Sequence, residues 1–395
     1  MRCLWLTQAD PEPRHNGQLI YSGGLIDAIG ESGVRVDIVG AMRPGSPHRP
    51  FDRQAGLRWF LAEQKPRALW HTLLSPLPNV ADRNWTPELQ RLLEGRLDEN
   101  GWDVIVFDSL SAGWALAPVL KRYPRRGRRP RLVYIAHNHE ESLRQQVARE
   151  HPDPLRRCIL LRDAAKVARL EQAMVRAADA VTAITPEDRD RFLADHPGRN
   201  IAVITPGYGG AYVDQRCISA RQPRRAVIVG SFDWIAKRLN LEQFLAAADP
   251  LFASHNAELQ VIGTAREAFL KQVRRRFSAT QFTGPVSGLS ALMQEARIAL
   301  VPERHGGGFK LKVLDYIFNR LPILALEGSV AGMPLRHEDS ILLYRDYRAL
   351  AAGVLQVIDD YDRLNHLQER AYAICRDQFD WASRGRQLLA AIAGP

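Results

Sequence analysis

The sequence predicts an α/β fold of two doubly wound, Rossmann-like domains, and three observations carry that prediction. Apolar runs of strand length alternate with stretches whose apolar residues recur at helical spacing. The alternation proceeds to about residue 210, lapses, and restarts near residue 223. In the second half, Ile298-Ala299-Leu300-Val301-Pro302 leads through Gly306-Gly307-Gly308 into a helical pattern, a strand-turn-helix of the kind found at ligand crevices of parallel sheets.

Arg2-Cys3-Leu4-Trp5-Leu6-Thr7 is the first predicted strand. A loop with Pro11, Pro13 and Gly17 follows, then Leu19, Ile20, Leu25, Ile26 and Ile29 mark a helix, and Val34 to Gly40 a second strand. From Ala41 to Asn100 the periodicity is weak, apart from a helix at Pro87 to Leu93. Strands resume at Trp102 to Asp108 and Arg131 to Ala136, with a helix from Trp114 to Leu120 between them. The strand at 131 runs directly into His137-Asn138-His139-Glu140. Polar residues just beyond the carboxyl end of a parallel strand face the ligand crevice, which makes His137 a candidate catalytic or sugar-contacting residue.

A long helix is expected over Leu155 to Ala177 and a strand over Asp179 to Ile184. Thr185-Pro186-Glu187-Asp188 then has the form of a helix start, with Thr as N-cap and Pro in the first position. That capping accounts for the acids of Asp188-Arg189-Asp190, so no metal site is assigned there. Asn200 to Ile204 closes the half, and the aperiodic stretch to Pro223 is a linker. The second half repeats the pattern with strands at Arg225 to Gly230, Glu258 to Gly263, Gln281 to Gly284, Ile298 to Pro302, Leu321 to Ala325 and Ser340 to Leu343. Two such halves joined by a linker are expected to form a cleft lined by the carboxyl ends of both sheets.

The glycine-rich segment has a specific chemistry. The first amides of a helix lack intrahelical acceptors and carry partial positive charge, and glycines let an anion approach them. Lys310 and Lys312 add full charge at the same end, while Asp315, deeper in the helix, suits sugar hydroxyls. The expected ligand is a diphosphate next to a ribose or hexose. His305-Gly306-Gly307-Gly308 also copies the oxyanion loop of lipases, but the chain has no Gly-x-Ser-x-Gly elbow to serve as partner.

At 395 residues the chain accommodates two ordinary domains. No apolar run approaches the ~20 residues of a membrane span, and the first residues lack a signal-peptide core, so a cytoplasmic location is expected. Cys3, Cys158, Cys217 and Cys375 are scattered and point neither to zinc nor to disulfides. The net charge of +10 implies anionic partners. The run 121–131, rich in Lys and Arg without an acid, is expected as an exposed loop suited to the anionic inner face of a membrane. With Tyr123 its only aromatic residue, it is poorly suited to nucleic acid.

These residues resemble a retaining glycosyltransferase of family 4 type with the GT-B fold. Gly17 stands in the place of the second glycine of the family's first loop, near donor and acceptor, and Asn16 stands where the first glycine would be. Tyr134 to Glu140 is similar to the strand and loop whose histidine contacts the transferred sugar, a role the resemblance gives to His137. Glu171 with Ala177 to Thr185 matches a structural segment. Gly230 to Lys237 resembles the loop that supplies a basic pair to the donor diphosphate; Lys237 keeps the lysine, and Ser231 stands where arginine is usual. The segment 303–315 resembles the Glu-x7-Glu element, with Asp315 on the ribose-binding acid, Gly307 on the first acid, and Glu303 or His305 as substitutes for it. Phe379-Asp380-Trp381 resembles the terminal segment from which a last helix returns to the amino-terminal domain.

The resemblance implies an acceptor-side domain at 1–210, a nucleotide-sugar domain at 223–377 and a returning helix at 378–395. It implies metal-independent transfer of a hexose from a nucleotide diphosphate sugar to a glycan or lipid-linked acceptor, in surface polysaccharide or glycoconjugate synthesis, with no cofactor beyond that co-substrate. The diphosphate contacts fall to Lys237, Lys310, Gly307, Gly308 and Phe309. Two alternatives stand beside it: a nucleotide-sugar epimerase, and a non-catalytic scaffold of the same fold that binds RNA or anionic membrane.

Overall fold

The computed structural model describes residues 1–46, 53–54, 56–63, 74–99, 101–124, 129–286, 288–304 and 308–394. The chain divides into two compact units, Met1–Gly207 with Asp380–Pro395, and Tyr208–Phe379.

The first unit contains β1 (Arg2–Ala9), α1 (Gly17–Glu31), β2 (Arg35–Met42), β3 (Arg53–Gln54), β4 (Leu57–Glu63), α2 (Asn79–Asp82), α3 (Pro87–Leu97) and β5 (Val104–Asp108). A 3-10 turn at Leu110–Ala115 leads into α4 (Leu116–Arg122), β6 (Arg131–Ile135), α5 (Glu140–Arg149), α6 (Pro154–Ala177), β7 (Ala180–Ala183), α7 (Pro186–Asp195) and β8 (Ile201–Val203). The strand order is β3-β4-β2-β1-β5-β6-β7-β8, parallel except for the short β3–β4 pair. β1 pairs with β2 on one side and β5 on the other, with Cys3 opposite both Val36 and Val104. The chain therefore reverses direction of winding between β1 and β5, where a parallel sheet opens a crevice at its carboxyl edge.

The strands form because they are mostly apolar and buried on both faces, as parallel strands require; Leu4, Trp5, Val104, Ile105, Val133 and Tyr134 are wholly buried. The helices start where the expected caps stand. Thr185 Oγ1 accepts from the Asp188 amide at 3.1 Å, and its hydroxyl donates to Asp188 Oδ2 at 3.0 Å, so the N-cap employs Asp188, while Asp190 pairs with Arg189 at 2.7 Å. The helix expected from Trp114 begins as the 3-10 turn. β4, within the weakly periodic region, is a strand the spacing did not predict.

Glu171, buried on α6, holds the start of α5 in place. Its carboxyl group accepts from the amides of Glu140 at 3.1 Å and Glu141 at 2.8 Å and from the Tyr134 hydroxyl at 3.1 Å. Burial, then the neighbouring Glu140 charge, pushes it up to about 8 against those donors. The unfolded chain releases this proton near the ordinary carboxylate value, so the stability it contributes declines as pH rises from about 5 to about 8. Thermal melts are expected to show a Tm falling across that window, and Glu171→Gln is expected to flatten the fall.

The second unit contains β9 (Arg225–Val229), α8 (Ile235–Ser254), β10 (Glu258–Ile262), α9 (Glu267–Arg276), β11 (Thr280–Thr283), α10 (Leu289–Gln294) and β12 (Ile298–Val301). It continues with α11 (Leu311–Phe318), β13 (Ile323–Leu326), β14 (Leu342–Tyr344), α12 (Tyr347–Val357) and α13 (Tyr361–Cys375). Its parallel sheet runs β11-β10-β9-β12-β13-β14, which places the winding reversal between β9 and β12. The carboxyl ends there are tightly knit: Gly263 sits at φ +139°, and a Cβ on it would lie 1.8 Å from the Gly230 carbonyl oxygen. Only glycine fits. The chain then returns to the first unit as α14 (Trp381–Ala393), which packs on α1 with Gly385 against Ala28.

Candidate functional site

In the second unit the candidate residues gather at the β9/β12 reversal. β12 delivers Glu303 just past its carboxyl end, and α8 and α11 begin beside it. Neither helix has a side-chain cap: Trp234 and Lys310 occupy the N-cap positions, and neither side chain accepts from a first-turn amide. First-turn amides of both helices thus lack the acceptor that capping residues supply. Tyr316 locks α11 to the sheet by accepting the Val229 amide on its hydroxyl at 2.8 Å.

Three lysines surround Glu303. Lys312 Nζ donates to its Oε1 at 2.6 Å, Lys310 Nζ lies 3.9 Å from Oε2, and Lys237 acts on it from the first turn of α8. The carboxylate is buried, which alone would push it up, yet Lys312, Lys310 and Lys237 bring it down to about 2. Lys237 in turn is lowered by burial and by Lys312, while Glu303 supports its charge. Three ammonium groups against one carboxylate leave an excess of positive charge in a largely buried place, the condition for binding an anion. The sequence placed Lys312 with Lys310 as helix-end charge; instead its closest partner is Glu303, at 2.6 Å.

Gly308 adopts φ +71°, and Phe309 packs on Phe379 with ring centroids 5.8 Å apart, which anchors the end of the glycine-rich loop. Asn240 of α8 anchors its beginning by accepting the Arg304 amide at 3.0 Å and the Tyr347 hydroxyl at 3.2 Å. His305 and Gly307 lie outside the described residues. Ser231, in the place of the usual arginine, donates to Asp233 Oδ2 at 2.9 Å. Asp315 is buried on α11, which pushes it up to about 6 despite a hydrogen bond from the Tyr208 hydroxyl. Tyr208 is held by its stack on Phe318, centroids 4.5 Å apart.

In the first unit the polar residues gather at the β1/β5 reversal. His137 Nε2 lies 2.7 Å from Asp108 Oδ1, at the end of β5. Asp108 Oδ2 accepts from Trp5 Nε1 at 3.0 Å and Thr7 Oγ1 at 2.9 Å, so the carboxylate bridges the two strands between which the winding reverses. Burial pushes Asp108 up, but His137, Ser22 and Trp5 outweigh it and hold the group below its ordinary value. An ionised Asp108 accepts a hydrogen bond from Nε2–H of His137, which leaves Nδ1 as the acceptor nitrogen of the neutral ring. The Tyr21 ring meets the imidazole edge-on at 5.0 Å.

Asp108 is the member of this pair that strand periodicity missed; it reads only as the last residue of an apolar run. The next residue, Ser109, stands at φ +71°, uncommon for a residue with a side chain and a mark of constrained backbone at sites. Asn16 is the N-cap of α1, its Oδ1 accepting the Leu19 amide at 3.1 Å, and Gly17 is the first helical residue. The next residue, Gln18, reaches the Ser109 hydroxyl at 3.5 Å, so this loop does adjoin the histidine pair.

Two family models match the chain. Residues 15–208 match Glycosyltransferase Family 4, and residues 223–360 match Glycosyl transferases group 1. No curated protein matches it in sequence. Among solved structures, sucrose-phosphate synthase from Thermosynechococcus elongatus superposes with a TM-score of 0.73 at 17% identity, over 98% of this chain and 97% of that one. WaaG, a glycosyltransferase involved in lipopolysaccharide biosynthesis, gives 0.64 at 17% over all of both chains. HepE from Anabaena, in complex with UDP and glucose, gives 0.63 at 15% over 100% of this chain and 99% of that one.

Proposed function

Because the chain belongs to the family 4 and group 1 glycosyltransferases of the GT-B fold, we propose that it transfers a hexose from a nucleotide diphosphate sugar to a hydroxyl of a glycan or lipid-linked acceptor, with retention at the anomeric carbon. The observation that carries this reading is the lysine set around Glu303 between two uncapped helix starts. Negative charge grows on the diphosphate as the glycosidic bond breaks, and prepositioned donors at that place stabilise the transition state more than the ground state. Lys237 and Lys310 are assigned to the diphosphate, with the amides at Gly308 and Phe309; Lys312 holds Glu303 in place. This arrangement calls for no divalent metal. Asp315 is assigned to the ribose, and His137, oriented by Asp108, to a hydroxyl of the transferred sugar. HepE, a similar fold, has been solved with UDP-glucose, which supports uridine nucleotides as the first donors to try.

Titration calorimetry with UDP, GDP and their sugars, followed by turnover assays on glycan and lipid-linked acceptors, tests the reading; absence of binding to every nucleotide sugar would overturn it. The pH dependence is specific. Ribose hydroxyls donate to a carboxylate, so protonation of Asp315, pushed up to about 6, weakens binding. Affinity for UDP-glucose, whose diphosphate does not titrate in this range, is expected to fall about tenfold from pH 7 to pH 5. Asp315→Asn is expected to bind weakly and without that slope.

A further inference from the structure

The first turns of α6 are at the surface of the first unit. Residues 154–159 are exposed on every side, and the buried stripe of this 24-residue helix starts only at Ala164 and Val167. Yet the exposed part is not polar: Leu155, Ile159 and Leu161 are 71, 43 and 40% exposed. Leu155, Cys158 and Ile159 share one face at i, i+3 and i+4, and Leu161 adjoins it. Leu74, 78% exposed, extends the patch, since the next residue, Ser75, accepts from Lys166 of α6 at 2.6 Å.

Arg162, seven residues after Leu155, lies on the apolar face itself, while Arg156 lies to its side and Arg157 on the far side of the helix; all three are exposed. Arg156 meets Asp153 at 3.9 Å and Arg157 donates to the His151 carbonyl at 3.0 Å, whereas Arg162 stands among the apolar side chains. Exposed large apolar side chains with an arginine on the same face are the composition of a helix that lies in the interface of a bilayer. No helix among the described residues is long and apolar enough to cross one.

We infer that the first two turns of α6, together with Leu74, dock on an anionic membrane surface. The apolar side chains enter the headgroup boundary and the arginines meet anionic headgroups. The alternative place, the basic run 121–131, is less suited where it is described: Arg129 makes two hydrogen bonds to Asp179 at 2.7 and 2.6 Å. The two places are also far apart. α6 ends at Ala177 just before β7, at the amino edge of the sheet where Arg131 begins β6, and its first turns are roughly 30 Å away at 1.5 Å per residue. Those turns are at the carboxyl edge, which holds His137. On the proposed function, and resting on it, this favours a lipid-linked acceptor.

Flotation with vesicles of phosphatidylglycerol and phosphatidylcholine, against phosphatidylcholine alone, reads the docking without any turnover, so its failure and that of the transfer reaction are distinguishable. The protein is expected to float with the anionic vesicles. Leu155→Ser with Ile159→Ser is expected to weaken binding tenfold or more, and Arg162→Gln about fivefold. A fluorophore on Cys158, with Cys217→Ser to direct the label, is expected to shift to the blue on anionic vesicles only. Equal binding to neutral vesicles, no binding, or no loss in the variants would overturn the inference. So would a lipid-free dimer that the Leu155→Ser, Ile159→Ser variant converts to monomer, since the face would then be an interface between copies.

Discussion

Lys237→Met is expected to lower kcat/KM for the nucleotide sugar about 100-fold or more, while Lys312→Met acts chiefly on stability. The two lysines face the same carboxylate and differ in what else they serve. Lys312 is bonded to Glu303 at 2.6 Å, and removing it withdraws the closest counter-charge from a buried carboxylate. Breaking a buried pair from one side costs about 3–5 kcal/mol when the remaining charge is left alone, and the cost here is smaller because Lys310 and Lys237 still face Glu303. Lys237 is raised only by through-space attraction to Glu303 and Asp233, and burial lowers it; a ligand diphosphate would restore what burial withholds. A charge-assisted hydrogen bond of this kind contributes about 1.5–3 kcal/mol, and more when the accepting charge grows in the transition state. Melting curves and steady-state kinetics on both variants separate the roles. Wild-type kcat/KM in a folded Lys237→Met protein would remove the diphosphate from this place. Glu303→Gln in the Lys312→Met background is expected to recover part of the lost stability, because it removes a buried charge that has lost its hydrogen-bonded partner.

That cluster shows where sequence reading succeeds and where it stops. The strand, the glycines and the helix around it were legible, because apolar runs and turn residues are local signals. Lys237 and Glu303 were each singled out, but their meeting was not legible: they are brought together by β9 and β12 lying side by side, a tertiary fact without a spacing. The Lys312 pairing across nine residues is likewise a product of the loop's path. β4 escaped notice for another reason. Leu57-Arg58-Trp59-Phe60-Leu61 alternates imperfectly, since Arg58 is a strand residue that turns outward to Asp37, its Nε donating to Oδ1 at 2.6 Å. An arginine in a parallel strand looks like a loop until its carboxylate partner on the neighbouring strand is known. Asp108 was hidden in the opposite way, as an apparent terminator of a clean apolar run.

Because Asp108 acts through His137, the largest effect expected in the first unit is a joint one. His137→Ala and Asp108→Asn are each expected to reduce kcat about 100-fold, with affinity for the nucleotide alone unchanged within about twofold. The double variant is expected to be no slower than His137→Ala, since effects of residues that work as one unit do not add. The physical reason is the direction of the ring proton. Asp108 is held ionised by His137, Ser22 and Trp5 despite its burial, and at 2.7 Å it fixes the proton on Nε2. Asparagine at this position presents an amide that can donate where the carboxylate only accepted, which permits the other tautomer and turns Nδ1 from acceptor to donor. A merely structural Asp108 would give a different result: lower Tm, weakened nucleotide binding in parallel, and multiplicative losses in the double variant. The measurement that decides is therefore the double-variant cycle in kcat, read beside the melting temperature and the nucleotide Kd of each protein.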